Sequence, residues 1–339
     1  MEKYFSISRV CARIGLVLHP PRTLPEATRI LRGLTQSELA TALGISQSMV
    51  SLLEAGKQRA SAALVTSLAA ALDMPEGLLR RPSPAPYTGH LLRPSLPRAT
   101  RNAALSEVTM AHAHIDLLLA PSPADLVPAP ENLDPVELAQ ELRERWDVQP
   151  GPISGMIPLL EEHGIVCVYR DLSDLGVPAL ASTAKSGRTL MFVDIAASRT
   201  DIAWSLAHEL GHLVMPADPS KQSDMRADRF ATAFLLPETD VRADHAFGST
   251  LAYASRYGVR PRLLAQRLRD LKLVTHAQFR QLVHDTAEMP RSEAAAALLG
   301  SPSALADRVR DLGGSRQAAP LAFLTPEELR RRYLARSQT

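Results

Sequence analysis

Apolar residues recur every three or four positions through most of the chain and crowd into short runs at only a few places, a pattern that predicts many helices and a small sheet. Between residues 24 and 80 the spacing is helical throughout. In "LTQSELATALGISQSMVSLLEAGKQ", Thr35 and Glu38 form a capping box that opens a helix with Leu39, Ala40 and Leu43 on one face, and Gly44 stops it. Ser46 then caps a second helix, which buries Val50 and Leu53 and turns Gln47, Ser48 and Ser51 outward. Further on, "GPISGMIPLLEEHGIVCVYRDLSD" reads as a helix then a strand. "ALASTAKSGRTLMFVDIAASRTDIAW" reads as two more strands leading into a helix on which Ile202, Leu206, Leu210 and Leu213 share a stripe. Thr200 or Asp201 caps that helix and Pro216 ends it.

Proline clusters at 81–97 and 120–135 exclude long helices and central strands, so they divide the chain. The expected organisation is multidomain: an all-α domain at 24–80, a Pro-rich linker with a helical segment at 81–132, an α+β domain at 133–285, and a helical C-terminal region at 286–339 in which "LTPEELRRRYLAR" is amphipathic. No repeat of solenoid period is present.

Composition adds limits. With 339 residues, 45% of them apolar, the chain has ample material for more than one core. A net charge of +2 names no partner, and residues 26–81 carry six Arg or Lys against five acids, so nucleic-acid binding must rest on local contacts. Cys11 and Cys167 lie far apart without a CxxC spacing, against a disulfide framework or cysteine-ligated zinc. No apolar run approaches the roughly 18 residues of a membrane span, and the N-terminal segment is too short in apolar residues for a signal peptide. A cytoplasmic protein with no membrane association is expected.

Helix, tight turn and helix, with short polar side chains outward, is a shape that fits the major groove of DNA. Ser46, Gln47, Ser48 and Ser51 can reach base edges, and Gln36 can meet a phosphate with its amide and the exposed backbone N–H groups of its helix. A small bundle with a solvated Gln and Ser face has the same periodicity. The residue order of "RGLTQSELATALGISQSMVSLLEAGKQ" resembles the Xre/Cro/lambda-repressor helix-turn-helix family: a Gln after the capping Thr, the Ala-x-x-x-Gly of the turn, and a Ser-x-Leu-Glu-x-Gly ending. The resemblance implies a double-stranded DNA operator with paired half-sites, bound by a homodimer.

In "DIAWSLAHELGHLVM", His208 and His212 lie one turn apart and can ligate one tetrahedral metal. Glu209, about 100° around the axis, can take a proton from a metal-bound water, and Gly211 leaves the metal side uncluttered. Downstream, "QSDMRADRFATAFLLPE" places Asp224, Asp228, Ala231 and Leu235 on one stripe. Asp224 is the candidate third ligand, Asp218 another acid within reach in sequence, and Asp228 the acceptor that would orient a ligating imidazole. A solvated face of Asp224 and Asp228 with Arg226 and Arg229 is the plainer alternative. "AHELGHLVM" with "ADRFATAFLLP" resembles the ImmA/IrrE metallopeptidases over about 133–285. The resemblance implies a zincin-like fold, zinc held by His208, His212 and the downstream acid, Glu209 as general base, and an Xre-type repressor as protein substrate. Asp224 stands where that family has a glutamate, and Arg226 where it has a second one.

Two functions follow from these features. One is a DNA-binding regulator with a zinc endopeptidase that cleaves a repressor, or itself, under a signal; the other is a non-catalytic regulator whose peptidase-like domain senses a ligand or dimerises. Of the remaining residues, Cys167 reads as core, His112 and His114 as part of a solvated helix, and Trp204 as packing beneath the histidines. The strand at Ala179–Thr183 is a candidate edge for an extended peptide.

Overall fold

The computed structural model describes residues 21–84, 96–120, 124–126, 129–130, 133–215, 221–245, 250–285 and 298–334; Cys11, Pro216 and Asp218 fall outside them. Five short helices open the described chain: α1 (Leu24–Leu31), α2 (Gln36–Leu43), α3 (Gln47–Glu54), α4 (Ala62–Leu72) and α5 (Glu76–Leu79). The turn chemistry follows the sequence. Thr35 and Glu38 close a reciprocal capping box, Gly44 ends α2 at φ 67°, and the Ser46 hydroxyl accepts from the Met49 N–H. Leu24, Leu39, Val50, Leu68 and Leu72 fill the core between these helices. Leu53, expected inside, is only half-buried, because the inward stripe of α3 runs from Val50 to Glu54 one turn on.

Helix α6 (Arg98–Leu118) is 21 residues long and lies between the proline clusters. It belongs to two cores. Met110 and Ala113 pack with the N-terminal helices, while Leu105, Val108, Ala111, Ile115 and Leu118 pack against the outer face of the sheet. Covered on both sides, it has no room for a solvated histidine face. His112 and His114, expected to be solvated, are 0% and 2% exposed. His112 Nε2 lies 3.0 Å from Ser182 Oγ and His114 Nδ1 2.7 Å from Tyr333 Oη. Burial is the main reason that each imidazole's pKa falls to about 3, with the Arg188 charge adding to it at His112 and those of Arg332 and Arg170 at His114; both rings are neutral.

Helices α7 (Pro135–Arg145) and α8 (Met156–Glu162) lead to strands β1 (Ile165–Arg170), β2 (Ala179–Thr183) and β3 (Thr189–Asp194). The order is β1-β3-β2, with β1 parallel and β2 antiparallel to β3, so β2 is an edge strand. Alternation sorts the side chains: Val166, Val168, Leu180 and Phe192 face α6, and Cys167, Ala179, Ala181 and Met191 face the opposite way. That second face packs on α9 (Arg199–Val214) and α10 (Lys221–Leu235), followed by α11 (Glu238–His245), α12 (Thr250–Arg256), α13 (Pro261–Asp270) and α14 (His276–Asp285). Helices α15 (Ala304–Asp311), α16 (Ser315–Ala318) and α17 (Pro326–Leu329), with a π turn at Arg330–Leu334, close over the α6 side through Leu305, Val309, Leu329 and Tyr333. Cys167 is buried, and burial raises its thiol well above the ordinary range, as a core residue requires. Among the described residues no helix is long and apolar enough to cross a membrane.

Candidate metal centre

Helix α9 starts earlier than its sequence suggests. The cap is Ser198, whose hydroxyl accepts from the Asp201 N–H; Thr200 lies inside the first turn and the Asp201 carboxylate accepts from Arg260 instead. The helix then runs to Val214 and packs along α10. Gly211 faces α10 rather than a metal: a Cβ there would meet Phe230 Cδ1 at 2.9 Å and Ala227 Cα at 3.3 Å. The missing side chain lets the two helices approach closely.

The approach brings His208, His212 and Asp224 together. His212 Nε2 is 3.1 Å from His208 Nε2 and 3.5 Å from Asp224 Oδ1, and one ligand atom from each residue falls within 4.8 Å of the other two. Ligands about 2.0–2.2 Å from a tetrahedral ion stand about 3.3 Å apart, between the two measured edges, so the donor set fits zinc. Behind it, His208 Nδ1 lies 2.8 Å from Asp228 Oδ1 and His212 Nδ1 3.3 Å from Ser223 Oγ. A carboxylate only accepts, so His208 donates from Nδ1 and its Nε2 turns a lone pair toward His212. Two imidazole nitrogens this close share a proton, with His212 donating, or flank a cation. Burial works against a charged His208, yet the hydrogen bond and charge of Asp228, helped by Glu209 and Asp224, leave its pKa raised.

Glu209 leaves the cluster sideways and reaches the edge of the sheet, where Oε2 accepts from the Ala181 N–H at 3.0 Å. Burial drives its pKa up, the His208 charge and the Ala181 bond pull it down, Asp224 raises it again, and the value comes to about 7. Trp204 packs beside the histidines, its ring 5.1 Å from that of His208. Arg226 turns away from Asp224 and donates to the Leu133 carbonyl, and Arg229 pairs with Asp134.

Residues 160–269 match the family model of the IrrE N-terminal-like domain. The stretch spans β1 to α13 and includes every side chain of this cluster. Residues 26–79 match the helix-turn-helix model, so a helix-turn-helix domain, as DNA-binding regulators carry, precedes an IrrE-like peptidase-family domain in one chain. Comparison with curated proteins finds no match.

In the helix-turn-helix domain Ser46, Gln47 and Ser48 are exposed and Ser51 is half-buried. Ser46 and Ser48 share a hydrogen bond at 2.9 Å. Gln36 is tied at both ends, donating to Glu54 at 2.8 Å and accepting from Gln47 at 2.6 Å, while Glu54 is held by Nε and Nη2 of Arg29. The Gln36 amide therefore orients Gln47. Sequence reasoning missed Ser223, the Arg29–Glu54 pair and the Ala181 N–H. The position of Ser223 beside Asp224 was a signal for the first; the other two are contacts between distant segments, which spacing cannot show.

Proposed function

We propose that the chain is a DNA-binding transcription regulator whose IrrE-like domain is a zinc-dependent endopeptidase acting on a repressor-type protein or on the chain itself. The observation that carries it is the convergence of His208, His212 and Asp224 beside Glu209, which lies against an edge strand. His208 and His212 would hold the ion through Nε2 and Asp224 through its carboxylate, with Asp228 and Ser223 fixing the two rings. Zinc held there would supply a water acidic enough to attack at neutral pH and would polarise the peptide carbonyl. Glu209 takes the proton of the attacking water and delivers it to the departing amine. Edge strand β2 offers an extended substrate backbone a strand to pair with. Helix α3 enters the major groove of a paired half-site operator, bound as a homodimer, with Gln47 on a base edge and Ser46, Ser48 and Ser51 beside it.

The test is zinc content together with cleavage of Xre-type repressors, in trans and of the chain itself. Glu209→Gln should keep zinc and fold while losing about 10²- to 10⁴-fold in rate. His208→Ala should lose both zinc and cleavage. A zinc-free wild type refutes the metal site. A zinc-loaded wild type that cleaves no repressor refutes the peptidase and leaves the domain a sensing or dimerising module.

A further inference from the structure

Helix α3 leaves one large apolar side chain in solvent. Leu52 is 42% exposed, and among the described residues it is the one large hydrophobic side chain that the helix-turn-helix domain leaves open. Its place on the helix follows from its neighbours. Val50 and Glu54 point into the core, so the opposite face carries Ser48 and Leu52, with Ser51 to one side. Ser48 and Leu52 are four residues apart and stand one above the other, about 160° and 200° around the axis from Val50. Leu52 therefore shares the outward row of Ser48, one turn farther from the Ser46 cap.

Cations stand beside this row. After Gly56 the chain turns back on the helix, the Lys57 N–H donating to the Leu52 carbonyl at 2.9 Å and the Gln58 N–H to the same oxygen at 3.2 Å. The turn sets Lys57, Gln58 and Arg59, all exposed, next to the last turn of α3. Positive charge at the rim and a bare hydrocarbon within it suit a partner that is anionic along its edges and apolar at the point of contact. In the major groove of DNA the phosphates supply the first, and the C5-methyl of thymine is the one methyl group that the base edges present. A leucine has no donor or acceptor, so no other feature of a base edge gives it something to read.

We infer that Leu52 reads a thymine in each operator half-site by packing on its C5-methyl group. The inference rests on the DNA-binding reading above, and it assigns to the operator a base that needs no polar side chain of α3 for its recognition. Ser48 and Gln47 remain available for hydrogen bonds to neighbouring pairs.

The test starts from a duplex that the full chain selects out of a random library. Each thymine of its consensus half-site is replaced in turn by deoxyuridine, which keeps the pairing and every polar atom but lacks the methyl. Binding should weaken about fourfold at one position, the worth of one buried methyl group, and change little at the others. Leu52→Ala should bind the thymine and deoxyuridine duplexes with equal affinity at that position, whereas Gln47→Ala should weaken both and keep the ratio between them. Leu52 is exposed, so its replacement leaves the core intact. A consensus half-site without thymine, indifference to every deoxyuridine, or an unchanged ratio in Leu52→Ala overturns the inference. An unchanged ratio together with a smaller oligomer in Leu52→Ala would make the residue a protein contact instead. Failure to select any sequence over random DNA overturns the DNA-binding reading as well.

Discussion

A histidine that coordinates a metal does so only as well as its ring is held, and the two rings here are held unequally. His208 leans on the Asp228 carboxylate at 2.8 Å and His212 on the neutral Ser223 hydroxyl at 3.3 Å. Loss of the charged support should therefore cost more. Asp228→Asn is expected to weaken zinc by about 10- to 100-fold, and Ser223→Ala by less, in a competition titration against a zinc chelator. Asp224→Ala should remove most zinc binding; full retention would pass the third-ligand role to another acid, such as Asp218. At the DNA face the same logic singles out Gln47. It is exposed but anchored through Gln36 to the Glu54–Arg29 pair, so its amide is oriented before DNA arrives. Gln47→Ala should cost about 1–3 kcal/mol at the cognate operator and less on random DNA. Equal loss on both, in binding titrations, would assign Gln47 to general affinity and not to base reading.

Between elements the decisive contact is α9 on α10. Alanine at Gly211 would gain about 1 kcal/mol in helix propensity, but its methyl would press on Phe230, which is fully buried and stacked on Phe234 with ring centroids 5.5 Å apart. Overpacking of a core typically costs about 1–3 kcal/mol, so the clash wins. Gly211→Ala should lower the unfolding midpoint and weaken zinc together, because α10 carries Asp224. A more stable variant in thermal unfolding would sink this account. The helices, the capping box, the Gly44 stop, the three strands and the two-histidine motif were legible because each depends on neighbours within about a turn. The inward stripe of α3 and the purpose of Gly211 were not, since they depend on what a helix lies against; the Ser198 cap is as local as the capping box, and Thr200 and Asp201 compete with it only because several candidate caps stand in a row. The burial of His112 and His114 was hidden for the same reason: periodicity shows that α6 is a helix and says nothing of its being covered on both sides.

Across the whole molecule those two histidines make stability depend on pH. Folded, each titrates near 3; unfolded, near the ordinary 6.5. Below 6.5 the unfolded chain takes up protons that the folded chain refuses, so this contribution to stability is complete above about 6.5 and is lost as pH falls toward 3. Each group contributes a slope of up to about 1.4 kcal/mol per pH unit within that window. His112→Gln keeps a partner for Ser182 but does not titrate. Its urea-unfolding free energy should fall less steeply than wild type between pH 6.5 and 5, and parallel curves would contradict the neutral buried imidazole.

Because α6 completes both cores, the line at which this protein can be divided is not where its composition breaks. A piece ending at residue 84 would lose Met110 and Ala113 from beneath α1, and one beginning at 133 would bare the outer side of the sheet. For the history of such a chain, the consequence is that a helix-turn-helix could be exchanged for another only along with the helix beneath it. A new DNA specificity is therefore reached more readily by changing Gln47 and its exposed neighbours than by trading modules.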